Sequence, residues 1–215
     1  MLPVTLLITL VFTLVIIIFI FSLFIKREKK KLSGESGEEK VSKLLNKIKE
    51  KEEVVINNFL ASRNKEKTYS IQIDHIFISH KGIFVIETKD YHGKIYGKRF
   101  LNNWKQVIGN KENIIYNPVK QNATHSKYIF EKLNKKYYCH NIVIFTSGEV
   151  NYDLGCEGNI FSLESFYLWY TKLEVKRYLT TKEINYIQDR INYLQNTYTI
   201  TIDKHIQNIK NNHFQ

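Results

Sequence analysis

The chain reads as a mixed α/β domain: one amphipathic helix, three strands, a second helix and a fourth strand, followed by further helices and preceded by one long apolar segment. Three observations predict this. Two runs rich in Ile, Phe and Val, Tyr69 to Ser79 and Gly82 to Lys89, are separated only by His80-Lys81 and read as a β-hairpin. Asn117-Pro118 is a helix start, because Pro fits the first turn and Asn can cap it. Val4 to Ile25 contains no charge, and roughly 20 such residues at 1.5 Å each cross a hydrocarbon core of about 30 Å.

That first segment is expected to be a transmembrane helix. A cleaved signal peptide would need positive charge ahead of a shorter apolar stretch and a small-residue cleavage site behind it, and neither is there. The charges come after it instead, as Lys26-Arg27-Glu28-Lys29-Lys30-Lys31. Flanking Lys and Arg stay on the cytoplasmic side, so the expectation is a single-pass protein of the cell membrane, amino terminus outside and domain cytoplasmic.

Leu32 to Gly37 supplies Ser and Gly for a short connection, and Glu38 to Glu50 then sets Val41, Leu44, Leu45 and Ile48 on one helical face. Val54 to Phe59 is a β-branched run that reads as a strand softened at its end by Asn57-Asn58, and Ala61 to Lys67 is a polar loop. In the hairpin, Ile83 to Ile86 is apolar on both faces, which marks a central strand. Gly93 to Val107 suggests a smaller hairpin with Trp104 packed in it. The helix begun at Pro118 should run to about Lys135, Asn141 to Thr146 is another buried strand, and Leu163 to Tyr170 and Thr181 to Gln195 are two later helices.

The net charge of +11 lies entirely after the apolar segment and biases the remainder of the chain toward polyanions such as nucleic acid or acidic lipid. Composition tempers this, since an A- and T-rich genome produces much of the same Lys, Asn and Ile. Cys139 and Cys156 have no CxxC spacing and read as ordinary thiols, and the seven histidines are scattered singly, which argues against zinc.

Chemistry concentrates where acids interrupt apolar strands. An ionised group inside IDHIF or VIETK costs several kcal/mol unless it finds a partner or a metal. Glu87 and Lys89 are two apart and share a strand face, while Asp74 lies on the neighbouring strand, so the three can converge. Two carboxylates, with the backbone carbonyl of Thr88, could hold Mg²⁺, and Lys89 could orient a water or offset charge on a phosphoryl transition state. The same spacing also suits an ordinary salt bridge, and spacing alone favours that simpler account. His75 points to the opposite strand face and reads as a packed, hydrogen-bonded histidine. His125 and Lys127 read as parts of a solvated helix face.

A resemblance changes the balance. Asp74 followed by Glu87-Thr88-Lys89 resembles the D…ExK signature of the PD-(D/E)XK nuclease superfamily, and the chain is similar, more narrowly, to the nuclease-related domain (NERD) family. That family's Gly-x-x-Gly-Glu opening appears as Gly34-Glu35-Ser36-Gly37-Glu38, its IDH strand as Ile73-Asp74-His75, its GIFVIE-K strand as Gly82 to Lys89, and its Asn-Pro-x-x-Gln helix start as Asn117-Pro118-Val119-Lys120-Gln121. The resemblance implies a restriction-endonuclease-like αβββαβ core, Mg²⁺ (or Mn²⁺) dependence and action on nucleic acid, DNA before RNA. It implies catalytic roles for Asp74, Glu87, Lys89, Gln121 and Glu38, with Asp74, Glu87 and Thr88 as metal ligands. The expected organisation is a transmembrane anchor at 1–25, a basic linker at 26–33, the nuclease-related domain at 34–150 and a helical extension packed on the core at 151–215. The rival expectation is a non-catalytic module that binds nucleic acid or a partner protein at the membrane.

Overall fold

The computed structural model of the chain describes residues 35–63, 68–152 and 158–212. Helix α1 (Gly37–Ile48) buries Val41 and Leu45 and keeps Glu38 and Glu39 in its first turn, where the helix dipole favours acids. Gly37 is dictated by close packing: a Cβ there would lie 2.6 Å from Thr146 Oγ1 and 2.9 Å from Asp90 Cβ. Strands β1 (Val54–Ser62), β2 (Ser70–Ser79) and β3 (Gly82–Lys89) come next as an antiparallel meander.

The chain then leaves this sheet to build a second one from β4 (Lys94–Gly97), β5 (Asn103–Ile108) and β6 (Lys111–Tyr116). Trp104 is buried there, with its ring over Gly97 and its Nε1 donating to the Lys98 carbonyl at 3.0 Å. Helix α2 (Pro118–Lys132) is capped by Asn117, whose Oδ1 accepts from the Val119 and Lys120 amides at 2.9 and 3.3 Å. Asn134 and Lys135, both at φ 57°, turn the chain out of the helix. Strand β7 (Cys139–Phe145) pairs in parallel with β3, β8 (Glu149–Tyr152) joins β4, and β9 (Ile160–Ser162) pairs with β7. The main sheet therefore runs β1-β2-β3-β7-β9 and the small one β6-β5-β4-β8. Helix α3 (Leu163–Lys172) packs with α1 on one face of the main sheet, and α4 (Thr181–Thr197) with α2 on the other. Helix α5 (Ile202–Asn212) rests against β2.

One irregularity shapes the main sheet. The side chains that β2 sends to the α2/α4 face are Ile71 and Ile73, then Ile76 and Ile78, so the two-residue period slips by one between them. The register pairs Asn57 with His75 and Phe59 with Ile73, which leaves Asn58 opposite Asp74 at the slip. Asn58 has φ 54°, the left-handed region that Asn tolerates and a β-branched residue does not. The Asn57-Asn58 pair therefore bends β1 instead of ending it.

The architecture is the expected mixed α/β core with C-terminal helices. The small hairpin is in fact a four-stranded sheet, and β9 and α5 are additions. The expected transmembrane helix at Val4–Ile25 and the basic linker at 26–33 lie outside the described residues, as does Cys156. Among the described residues no helix is long and apolar enough to cross a membrane. The longest, α4, is amphipathic, with Lys182, Glu183, Asp189 and Arg190 along its length. The expected membrane anchorage, a single-pass cell-membrane protein with its amino terminus outside and its domain cytoplasmic, is corrected on that finding.

Asn58→Val should lower stability by about 1–2 kcal/mol, while Asn58→Gly stays within about 0.5 kcal/mol of the parent, because only the former forces a branched side chain into the left-handed region. Urea unfolding of both variants checks this.

Candidate functional site

Strands β2 and β3 are paired from Ser79↔Gly82 to His75↔Ile86 and then part. One more step of that register sets Asp74 opposite Glu87, but there β2 continues only alongside β1, and β3 only alongside β7. The Thr88 amide, left without a partner from β2's main chain, donates to Asp74 Oδ2 at 2.8 Å. Between the diverging strands lies a cleft of about 330 Å³, lined by Asp74, Glu87, Gln121, His125 and, from α5, His205.

Glu87 is buried and satisfied. Its Oε1 accepts from Lys89 Nζ at 2.7 Å and from Gln121 Nε2 at 2.8 Å, and Lys89 Nζ also donates to Gln121 Oε1 at 3.2 Å. Burial alone would raise the Glu87 carboxyl, but His125 and Lys89 hold it below the ordinary glutamate value. Burial would likewise lower Lys89, and Glu87 keeps it above the ordinary lysine value. Asp74 is the uncompensated member. Burial, with Glu87 opposite and Glu38 at longer range, pushes its carboxyl up to about 7 despite the Thr88 amide and Lys89. Two acids on neighbouring strands would be expected to share their repulsion; the structure concentrates it on Asp74.

The residues singled out in the sequence thus separate into two groups. Asp74, Glu87, Thr88, Lys89 and Gln121 are joined by hydrogen bonds or face one another across the cleft. Glu38 stays exposed in the first turn of α1 and reaches Asp74 only through its charge. His75 is buried on the opposite face, with Nδ1 at 2.7 Å from Asn57 Oδ1 and Nε2 at 3.2 Å from Thr88 Oγ1. Burial pulls it down to about 4, so the ring is neutral, its Nδ1 donating and its Nε2 accepting from the hydroxyl. Cys139 is a buried thiol pushed up to about 12 by desolvation.

His125 is not part of a solvated face. Its Nδ1 lies 3.4 Å from Glu87 Oε2, near enough for an ionic contact yet not directed well enough to make a hydrogen bond, so this buried nitrogen is unpartnered. The sequence does carry a signal for it, since His125 lies four residues beyond Gln121 on the same helical face. His205 is a cleft residue that the sequence reading does not reach. It is held by Ser70, with Nδ1 at 2.7 Å from Ser70 Oγ, and brings α5 to the cleft. Among the described residues no group of three or more His, Cys, Asp and Glu side chains is gathered so as to hold a metal ion.

Asp74→Asn and Glu87→Gln should move the metal-free protein in opposite directions. The folded value of Asp74, about 7, exceeds its ordinary 3.8, so its contribution to stability is fully present below pH 3.8 and lost as pH rises through 7. The advantage of Asp74→Asn in thermal melts with chelator should therefore grow from pH 4 to 7 and level off above. Glu87→Gln should cost about 2 kcal/mol at pH 8, because it leaves Lys89 buried beside a neutral amide.

A family model described as the nuclease-related domain matches residues 33–146. A protein of Bacillus anthracis, itself named only as uncharacterized, is 31% identical over 193 residues, which cover 85% of this chain and 87% of that protein. No solved structure matches the chain. With Asp74, Glu87 and Lys89 all lying inside a family match that spans over half the residues, the chain belongs to the nuclease-related domain family.

Proposed function

We propose that the protein is a Mg²⁺- or Mn²⁺-dependent nuclease that hydrolyses phosphodiester bonds in DNA or RNA, on a restriction-endonuclease-like core. The observation that carries this reading is the imbalance in the cleft. Two carboxylates face each other where the sheet opens, and Lys89 pairs with Glu87 and offsets only part of the burden on Asp74. A structural salt bridge needs Glu87 and Lys89 but has no use for Asp74 beside them.

The donors fit a hard divalent ion, because Asp74 and Glu87 offer carboxylate oxygens and the carbonyl of Thr88, next to Glu87 on β3, adds a third oxygen. Waters and a substrate phosphate complete such a shell, so no third acidic side chain is needed. Bound there, the ion would supply Lewis-acid charge to the scissile phosphate. Lys89, held between Glu87 and Gln121, is placed to offset negative charge that develops on the phosphoryl oxygens as water attacks phosphorus and the P–O bond breaks. Gln121 fixes both partners of that pair and so keeps the ammonium from collapsing onto Asp74. Among the described residues the cleft lining holds two acids and no Lys or Arg, and Lys89 adjoins it only through Glu87 and Gln121, so a phosphate entering it is aided by a bound cation.

One observation favours a second reading, a nuclease-like module that binds nucleic acid or a partner protein without cutting. Lys89 already gives two of its three N–H donors to Glu87 and Gln121.

Incubation of the full chain with single- and double-stranded DNA and RNA, with Mg²⁺, Mn²⁺ or chelator, tests the two. Metal-dependent cleavage is expected. Lys89→Ala should reduce it by about 10²–10³ while keeping the thermal stabilisation by metal, and Asp74→Ala should lose both. Binding without cleavage under every metal condition, and no metal-induced shift in melting, would leave the binding module.

A further inference from the structure

The acidic cleft is not the roomiest opening in the fold. A pocket of about 490 Å³ opens at the far end of the main sheet, between the β2–β3 turn, the turn after α2 and the segment joining α3 to α4. From Gly82, which lines it, to Glu87 is five residues along β3, about 17 Å at the rise of a strand. The pocket is firmly built. His80 and Leu179 are tied twice, with Leu179 N donating to His80 O at 2.7 Å and His80 Nδ1 lying 2.7 Å from Leu179 O. Lys81 Nζ donates to the Tyr170 and Thr171 carbonyls at 2.8 and 3.3 Å, which closes the end of α3 against the turn.

Its lining is mostly apolar surface that carries cations, where the lining of the cleft is more polar and carries acids. Lys81, Lys136, Lys176 and Arg177 line it, and no carboxylate does among the described residues. Glu183, just outside, answers Arg177 at 2.9 Å, which leaves the lysines to set the sign of the pocket. Aromatic surface lies among these charges. Tyr138 is 72% exposed, and its ring meets His140 edge-on at 5.0 Å. His140 is stacked in turn on buried Phe84 at 4.7 Å, so the exposed ring stands on a rigid base. Cations for phosphates beside a sequence-tolerant ring for bases are the components of a single-strand contact.

We propose that this pocket is a second nucleic-acid contact that holds a single-stranded phosphate-and-base segment away from the acidic cleft. The choice of ligand rests on the nuclease reading above, but the contact itself needs neither metal nor cleavage. Lys136 and Lys176 neutralise phosphates, Tyr138 stacks a base, and the acidic cleft then receives a strand already held elsewhere by its charge.

The test is fluorescence anisotropy of a labelled oligothymidylate with the full chain in chelator, where no cleavage occurs. Lys136, Lys176 and Tyr138 are exposed, so their variants should fold, which circular dichroism checks. The double variant Lys136→Glu/Lys176→Glu should weaken binding at least tenfold and lower the salt slope by about two. Tyr138→Ala should weaken it about tenfold with the salt slope unchanged. If the lysine pair and Tyr138 can both be replaced without loss, or if no oligothymidylate binds, the proposal is overturned. It is also overturned if Tyr138→Ala has no effect and inorganic phosphate or an acidic peptide displaces the strand at equal phosphate or carboxylate concentration, since the pocket is then a general anion patch. Loss of cleavage activity with this binding pattern intact would reject the nuclease reading and keep the second contact.

Discussion

A single residue in the left-handed region, Asn58, sets the geometry on which the rest of the cleft depends. A regular β1–β2–β3 meander would keep β2 and β3 paired past Asp74, and the Asp74 and Glu87 side chains would sit side by side on a closed sheet. The slip at Asn58 and Asp74 turns β2 away and frees the Thr88 amide. A buried amide without a partner is costly, and the Asp74 carboxylate satisfies it at 2.8 Å. The bend thus opens the cleft and fixes one oxygen of the acid that lines it.

The same bend explains why the two carboxylates differ. Glu87 stays on the ordered part of β3, on the face where α2 lies, and Gln121 and His125 reach it from successive turns of that helix. Asp74 stands at the break, where its neighbours are a backbone amide and other acids. One acid is therefore embedded in a hydrogen-bonded network, and the other keeps a carboxylate that the chain does not fully neutralise. Electrostatic frustration of this kind lowers the stability of a fold.

Much of this is legible in the residues. Interrupted apolar strands locate Asp74, Glu87 and Lys89, because charges inside IDHIF and VIETK demand partners, and Asn117-Pro118 marks the start of the helix that brings Gln121. The bend is not legible: Asn57-Asn58 looks like the end of a strand, and only the pairing with β2 shows that the strand continues. β6 is hidden because nearly all of it is exposed, so it carries no strong alternation. α5 is hidden for the opposite reason. Its apolar residues Ile202, Ile206 and Ile209 follow a helical period, yet they are the exposed ones, and the helix packs through His205 and Asn208 instead. Hydrophobic patterning there points to the wrong face as the buried one. The long apolar run Val4–Ile25 satisfies a length rule, but the described residues contain no helix on which a membrane position could rest.

The small sheet has a consequence for how such a chain can vary. Between Lys89 and Asn117 the backbone leaves the main sheet, builds β4, β5 and β6, and returns directly to the helix that carries Gln121. Its return is tied at Asn117, where Nδ2 donates to the Leu101 carbonyl at 2.7 Å while Oδ1 caps the helix, and Ile95 and Trp104 bury against Val119, Val143 and Phe145. The turn from Ile108 to Lys111, by contrast, is exposed, so a change of length there alters the outline of the molecule while the packing that seats the helix of Gln121 stays in place.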